Sequence, residues 1–293
     1  MQVSIQQSYD SLLTGIRKQL DLQSAGNGQI SSGKRFTRPA EAALDYKTSL
    51  DIRHGQKGIQ SSLDAISTAD MRLKNSMSMV NSMQQILVRA QALAVQQSSG
   101  QISATDRQGA LAEVTQLKGS LFTYANQKLD GQALFAGTAT SGDAFIKDGS
   151  GNIVYNGNAL DRTVAITTTQ IVSSNVRGDS AAFSKMFSSF QAFESALTAN
   201  DQAGVQAALG QLNDAGSSIT DLNAEVGSRI RSLDMQHQLY TDIQLSMTTR
   251  LTEHEGVDIA STVAHLQESS VALQAAYSQV ASLRSLSLVN FLR

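Results

Sequence analysis

The sequence predicts a mainly α protein, a long antiparallel helical bundle or coiled coil with a small β-rich insert. Two segments keep an apolar residue at every seventh position for six steps, one from Ile52 to Ala94 and one from Val205 to Met247. A strict seven-residue repeat keeps one stripe of a helix against a neighbouring helix over many turns. Pro39 is the only proline among 293 residues, so no proline interrupts either run. Two uninterrupted helices are therefore the framework of the predicted fold.

The first long helix is expected to fill about residues 41–98, with Pro39 suited to its first turn. The side of this helix that should face its neighbour has a second row of positions, four residues after each heptad position. This row includes Asp70, Gln84 and Gln91. Polar side chains at these positions predict a contact between helices that is half polar. Such a contact buries little apolar area, and we expect a thin helix-on-helix core.

Each end of the chain predicts a further helix with an apolar stripe. Residues 1–25 form the first one, and we expect Gly26 and Gly28 to end it, because two nearby glycines interrupt a helix. The last forty residues form the other. These stripes have no core of their own, so we interpret them as an assembly seam whose helices order only on assembly. The predicted seam consists of Ile5, Tyr9, Leu12, Ile16, Ile259, Val263, Leu266, Leu273, Tyr277 and Val280.

The middle of the chain changes character. Residues 131–179 lose the helical period and contain short runs typical of strands. The turn signals Asp148–Asn152 and Asn156–Gly157 predict hairpins within this segment. We expect a β-rich insert that faces solvent. The predicted organisation has three parts, a terminal inner coiled-coil layer of 1–40 with 255–293, a helical rod of 41–130 with 180–254, and the outer insert 131–179.

Composition argues against several classes of function. The net charge is −2 and only 16% of residues are charged, which gives no electrostatic case for binding nucleic acid or an anionic membrane. The chain has no cysteine, which excludes disulfides and thiolate metal sites. No apolar stretch is long enough to predict membrane insertion. The first residues lack the pattern of a signal peptide, so we expect a protein that is either cytoplasmic or exported without a cleaved signal.

No pattern of catalytic, cofactor-binding or metal-ligating residues occurs in the sequence. The segment His254–Asp258 begins like the zinc motif His-Glu-x-x-His but lacks the second histidine, so we interpret it as a solvated joint between helices. No glycine pattern typical of phosphate or dinucleotide binding is present. Arg229 and Arg231 lie off the apolar stripe, and we expect them to be solvated. The sequence therefore predicts a protein that is not an enzyme and needs no cofactor.

Short segments along the whole chain resemble the flagellin superfamily. Ile30–Phe36 resembles its Leu-Ser-Ser/Thr-Gly-x-Arg signature, which follows the N-terminal helix. Within the superfamily the match is closer to the hook-associated protein 3 (FlgL-type) group. The segments that carry this closer resemblance are Met1–Tyr9, Lys34–Pro39, Gly131–Gly137, Val226–Ile230 and Leu286–Leu292. Two departures matter. Only Glu41 follows Pro39 where the family often has two acids, and the final Arg293 is more typical of flagellin.

The resemblance implies a flagellin-like fold and a structural subunit of the bacterial flagellum at the hook–filament junction. It implies assembly through the terminal helices into a ring of identical copies. The implied partners are the first hook-associated protein on the hook side, flagellin on the filament side, and a flagellar export chaperone. It further implies type III export without a cleaved signal peptide and an extracellular location that serves motility. The alternative is a minor flagellin that forms the filament itself, and a coiled-coil signalling module is a more distant alternative.

The segment between the first helix and the first long helix is the predicted inter-subunit loop. Gly33 can adopt backbone conformations that other residues cannot. Lys34 and Arg35 can pair with acids of a neighbouring subunit. We therefore expect this loop to set the angle between the inner layer and the helical layer. The alternative interpretation is a solvated loop that acts only as a spacer.

Overall fold

The computed structural model describes residues 2–99, 102–139, 141–165 and 171–291, with side chains described from 7 to 282 within these ranges. Helices dominate the described residues, as the sequence predicts. The helices are α1 Gln2–Ser32, α2 Ala43–Gln97, α3 Ala104–Ala125, α4 Ala181–Thr198, α5 Gln202–Glu255 and α6 Ile259–Phe291. The prediction of a mainly α fold with a small β-rich insert is confirmed.

In the described part of the chain, the strands between α3 and α4 form three antiparallel pairs. They are β1 Lys128–Leu129 with β2 Gln132–Ala133, β3 Phe145–Lys147 with β4 Ile153–Tyr155, and β5 Thr163–Ala165 with β6 Ile171–Ser173. The predicted turn Asp148–Asn152 joins β3 to β4, and the Asp148 carboxylate accepts hydrogen bonds from the backbone N–H groups of Ser150 and Asn152. Asn156–Gly157 instead leads into an irregular segment, in which a Cβ at Gly157 would lie 2.7 Å from Cα of Ala136.

The chain divides into two compact units, and both boundaries fall inside the long helices α2 and α5. We call residues 1–58 with 243–293 the terminal unit, and residues 59–242 the central unit. The insert 131–179 lies within the central unit and does not form a compact unit of its own. The three-part layering expected from the sequence concerns an assembled protein, and it stays a prediction.

In the central unit, the heptad positions of α2 and α5 face the core. Leu73, Val80 and Leu87 of α2 are fully buried, as are Leu212 and Ile219 of α5. The second buried row of α2 lies three residues after each heptad position, and its members are Ala69, Ser76, Met83, Ala90 and Gln97. The second row that faces the core is therefore not the one expected, although it too contains two polar residues, Ser76 and Gln97. Most of the side chains in this row are small, so this row of α2 can face the core. The row that begins one residue later, which contains Asp70, Gln84 and Gln91, lies at the edge of the core.

The polar side chains of that neighbouring row connect α2 to α5 at the edge of the core. The amide of Gln91 donates to the carbonyl of Leu212 at 3.1 Å. The side-chain oxygen of Gln84 accepts from the Asn223 amide at 3.0 Å. Because the partner on α5 moves toward the C-terminus as α2 is followed toward its N-terminus, the two helices run antiparallel.

The insert contributes aromatic side chains to the core of the central unit. Phe145 of β3 is 2% exposed and packs against Phe183 and Phe187 of α4, with ring centroids 5.4 and 5.1 Å apart. Phe135, just after β2, packs on Phe183 at 5.0 Å. The Asn126 side chain donates to the Phe145 carbonyl and accepts from its N–H, which fixes β3 at the end of α3. Part of the insert is therefore built into the core, and the expectation that the insert faces solvent in an assembled rod stays a prediction.

Arginine side chains from the long helices also hold the insert in place. Arg72 of α2 is buried, and its guanidinium donates to the carbonyl of Ala133 at 3.0 Å. Arg229 of α5 donates to the carbonyl of Asn175 at 2.9 Å. The expectation that Arg229 would be solvated is thus wrong, whereas Arg231 is exposed as predicted. Carbonyls at the ends of short strands lack ladder partners, and a guanidinium offers several donors that satisfy them.

Candidate functional site

The terminal unit contains an antiparallel pair formed by α1 and α6. The pairing is antiparallel because Gly26 lies against Leu266, whereas Gln19, earlier in α1, accepts a hydrogen bond from Ser269, later in α6. Along this contact Ile16 is buried. The terminal helices therefore bury part of their apolar stripes against each other within one chain, and not only against neighbouring copies as expected.

The structure divides the predicted seam between two faces. Ile16 and Leu273 are buried in the α1–α6 contact, and Tyr9, Leu12, Leu266 and Val280 are partly buried. Ile259, Val263 and Tyr277 are exposed by 54%, 38% and 52%. The side chain of Ile5 lies outside the described residues.

The second inner row of α6 consists of Thr262, Ser269 and Ala276, whose side chains are small. Small side chains let the two helices approach closely. The larger Val263 and Tyr277 each follow one of these residues in sequence, so they lie at the flank of the contact and point outward. Val271, which was not among the predicted seam residues, is 66% exposed. The predicted seam residues therefore do not all lie in the α1–α6 contact, and their role as an assembly seam stays a prediction.

The outward face of α6 is unusually poor in charge. Only two of its 33 residues are charged, Glu268 and Arg284. A helix with one side in water ordinarily carries many charged residues on that side. Instead α6 exposes Val271 and Tyr277 together with small apolar residues such as Ala264. Exposed apolar surface of this kind marks a face that another molecule covers.

Helix α1 extends beyond the glycines that were expected to end it. It continues through Gly26 and Gly28 to Ser32. A glycine inside a helix costs about 1 kcal/mol relative to alanine. A Cβ at Gly26 would lie 2.9 Å from Cδ2 of Leu266, so the absence of a side chain at Gly26 lets the tip of Leu266 pack closely against α1. The helix ends instead at Gly33, whose φ of +67° is the left-handed conformation typical of a helix C-terminus.

The predicted inter-subunit loop is part of an ordered joint. The joint consists of residues 33–36, the turn 254–257 between α5 and α6, and residues 45–53 of α2. Lys34 and Gly256 form an antiparallel β-bridge. The N–H of Arg35 donates to the Glu255 carbonyl at 2.7 Å, and the N–H of Val257 donates to the Gly33 carbonyl at 3.2 Å. The interpretation of this segment as a solvated spacer is therefore wrong.

Glu255 lies at the centre of the joint and is only 6% exposed. Its carboxylate accepts from the Arg53 guanidinium through both oxygens at 2.7 Å and lies 2.9 Å from the Lys34 ammonium. Burial alone would raise the pKa of Glu255, but its hydrogen bonds with Lys34 and Arg53 lower the pKa below the ordinary value. The segment His254–Asp258 is thus not the solvated joint that the sequence predicted.

The other groups of the joint also have partners within the chain. The Arg35 guanidinium pairs with the Asp45 carboxylate at 3.1 Å and donates to the His254 carbonyl at 3.3 Å. Phe36 is buried, and its ring meets the His254 ring edge-on at 5.8 Å. Lys34 and Arg35 therefore pair with acids of their own chain. Contact between this loop and a neighbouring subunit stays a prediction.

Sequence reasoning missed Glu255 and Arg53, which are 202 residues apart. A single glutamate at the end of a predicted helix has no feature that distinguishes it from a solvated one. The one available signal was its position, since Glu255 directly precedes Gly256 at a break between two helices. Polar groups at such breaks often bind the backbone or side chains of the neighbouring segment.

We expect the joint to weaken in acid. The pKa of Glu255 is lower in the folded chain than the reference value of 4.5. Its charge therefore contributes stability that is fully present above the unfolded pKa and is lost as pH falls through the folded pKa. Lys34 of the loop and Arg53 of α2 face the carboxylate, and His254 and Asp45 are the other ionisable groups nearby.

Hydrogen exchange at the amides of Arg35 and Val257 measures this effect. After correction for intrinsic exchange, protection of both amides should fall between about pH 6 and pH 3. The variant Glu255→Gln should lack this change, because its side chain does not titrate. The same pH dependence in both proteins would assign the effect to Asp45 or another group.

Among the described residues, no helix is both long and apolar enough to cross a membrane. The same residues contain no cluster of three or more His, Asp or Glu side chains that could hold a metal ion.

Comparisons with known proteins identify similar folds. The family model of the bacterial flagellin N-terminal helical region matches residues 3–140. A proposed flagellar hook-associated protein of Vibrio parahaemolyticus has 20% identity and a TM-score of 0.65, covering 74% of this chain and 100% of that chain. FlgL of Bacillus cereus has 19% identity and a TM-score of 0.61, covering 69% and 99%. The flagellar junction protein FlgL of Legionella pneumophila has 16% identity and a TM-score of 0.57, covering 72% and 100%. A comparison with curated proteins gave no significant match.

The family model and the similar structures are described as flagellin, hook-associated protein and FlgL, which agrees with the prediction of a structural protein without catalysis. The family match covers α1, α2 and α3, including the joint-forming segment 33–36. Residues 3–140 thus match the flagellin N-terminal helical region, and the chain has a fold similar to that of the FlgL structures, in keeping with the resemblance seen in its sequence.

Proposed function

We propose that this protein is a structural subunit of the bacterial flagellum that joins the hook to the filament and assembles through its terminal helices. The observation that carries the proposal is the outward face of α6, which is exposed, apolar and almost uncharged while the opposite face already packs on α1. A helix pair with a second apolar face is suited to pack against copies of itself.

The similar structures support the junction role in particular. They include a hook-associated protein and a flagellar junction protein. Under this proposal the partners are other copies of the chain in a ring, the first hook-associated protein, flagellin and an export chaperone. The protein would be exported by the type III route and act outside the cell. A neutral apolar face also fits a permanent contact better than a transient one, since obligate interfaces are the more apolar class.

Val271→Asp tests the assembly surface, with Val271→Ala as its matched control. Val271 is 66% exposed, so neither change should alter the fold of the isolated chain. In an assembly that covers this face, the aspartate would be a buried and unpaired charge, which costs several kcal/mol. We expect the aspartate variant to be exported but to leave filaments detached, and the alanine variant to support swimming. Normal swimming of the aspartate variant would contradict the proposed surface.

Immunogold labelling of the wild-type protein separates the junction role from that of a minor flagellin. Label confined to a short zone between hook and filament is the expected result. Label along the whole filament would instead identify a minor flagellin, which uses the same terminal helices but in many more copies.

A further inference from the structure

We propose that Glu255 is a latch that sets the direction of the α1–α6 pair against the adjoining turns of α2 and α5, and that the latch can open without unfolding either helix pair. This inference concerns a moving part of the terminal unit and does not depend on which other flagellar proteins the subunit meets. The argument rests on the connectivity of the joint, on its charges and on the exposure of its cations.

Two short connections link the α1–α6 pair to the long helices. One is the segment between Ser32 and Ala43, and the other is the three residues between Glu255 and Ile259. Phe36 is the only fully buried apolar side chain that the described residues of these connections provide. Apolar packing at the joint is therefore slight, and its polar contacts have a correspondingly large share in fixing the geometry.

One carboxylate connects three segments at this point. Glu255 is the last residue of α5, Lys34 follows α1, and Arg53 lies in the second and third turns of α2. One terminal nitrogen of the Arg53 guanidinium contacts both carboxylate oxygens at 2.7 Å, a charge-assisted contact that holds the end of the Arg53 side chain against Glu255. The backbone adds the two hydrogen bonds between residues 33–35 and 255–257. No other side chain of the described joint contacts both Lys34 and Arg53.

The exposure of the three partners makes opening possible. The Glu255 side chain is 7% exposed, whereas those of Lys34 and Arg53 are 41% and 45% exposed. When the latch opens, both cations can reach water without a change in their own helices. The carboxylate gains hydration at the same time, so no charge is left buried and unpaired, which is the usual cost of breaking a buried ion pair. Gly33, with φ of +67°, offers a backbone position that can absorb a change of direction.

The variant Glu255→Gln removes the charge and keeps the size of the side chain, and Glu253→Gln is its control because Glu253 is exposed two residues earlier. The chain has no cysteine, so spin labels can be attached at introduced cysteines alone. His54→Cys on α2 and Gln267→Cys on α6 place labels at exposed positions on the two sides of the joint. Pulsed electron paramagnetic resonance then gives the distribution of distances between them.

We expect one narrow distance distribution in the wild type and in the Glu253→Gln control, and a broad or two-component distribution in Glu255→Gln. Hydrogen exchange at Arg35 and Val257 should rise at least about tenfold, while amides within α1 and α6 keep their protection. Lys34→Gln leaves Arg53 in place and should give an intermediate distribution. An unchanged distance distribution in Glu255→Gln would overturn the latch. Loss of protection throughout α1 and α6 in Glu255→Gln and Lys34→Gln would also overturn the latch. Glu255 would then stabilise the two helices themselves and not the direction of the α1–α6 pair.

Discussion

Leu273→Asp should separate α6 from α1 in the isolated protein while the central unit remains folded. Leu273 is 6% exposed and lies on the inner face of α6. An aspartate there would be buried without a cation, which costs several kcal/mol. The contact has little apolar area to offset this cost, since Gly26 and Ser269 occupy much of it. Hydrogen exchange should show loss of protection in α1 and α6 alone, with most of the far-UV circular dichroism retained.

Val271→Asp is the matched control, because it introduces the same side chain two residues earlier on the exposed face. It should leave the protection of α1 and α6 unchanged in the monomer. The two variants thus separate folding of the helix pair from its assembly, since both should prevent attachment of filaments but only Leu273→Asp should alter the isolated chain. Equal protection of α6 in Leu273→Asp and in the wild type would show that the α1–α6 contact contributes little to the monomer.

Phe145→Ala should destabilise the central unit by about 3–5 kcal/mol. Its ring is enclosed by Phe183 and Phe187 of α4 and by Tyr155 of the neighbouring strand. Truncation removes apolar contacts and leaves a cavity, and the surrounding aromatic rings are held by α4 and cannot collapse to fill it. Urea unfolding followed by circular dichroism measures the change in the free energy of unfolding.

Ile146→Ala is the control for that experiment. Ile146 is the next residue of the same strand, but its side chain lies on the opposite face and is 41% exposed. We expect it to cost less than about 1 kcal/mol, in keeping with a surface substitution. Similar losses for both variants would mean that the hairpin is stabilised by strand pairing and not by packing against α4. A large loss for Phe145→Ala alone would show that the insert cannot be removed without harm to the helical core.

Periodicity predicted the helical framework well. The heptad runs of α2 and α5 are buried along the central unit, because a seven-residue repeat is a property of the local chain and specifies one face of a helix. The hairpin turn at Asp148–Asn152 was also predicted, since its geometry depends on residues within the turn. Predictions of this kind rest on contacts between residues close in sequence.

Only some residues of the candidate site were predicted, and the reason is not the one that explains the helical framework. Of the predicted seam residues, Leu266 and Leu273 lie on the inner side of α6, whereas Val263 and Tyr277 do not. A helical stripe of apolar residues is wider than one contact, and its sequence does not show which edge meets the partner. The small residues Thr262 and Ser269 were passed over because they are not apolar, although their size allows the close approach.

Sequence was sufficient for the helix periods, the β-rich character of the middle segment and the relation to flagellins, because each depends on residues near one another in the chain. Four other features depended on the folded chain. They are the row of α2 that faces the core, the course of α1 through Gly26, the burial of Phe145, and the pairing of Glu255 with Lys34 and Arg53. Each of these four features is determined by contact with residues that are distant in sequence. Several local arrangements would otherwise be about equally stable, and the shape or charge of the distant residue stabilises one of them.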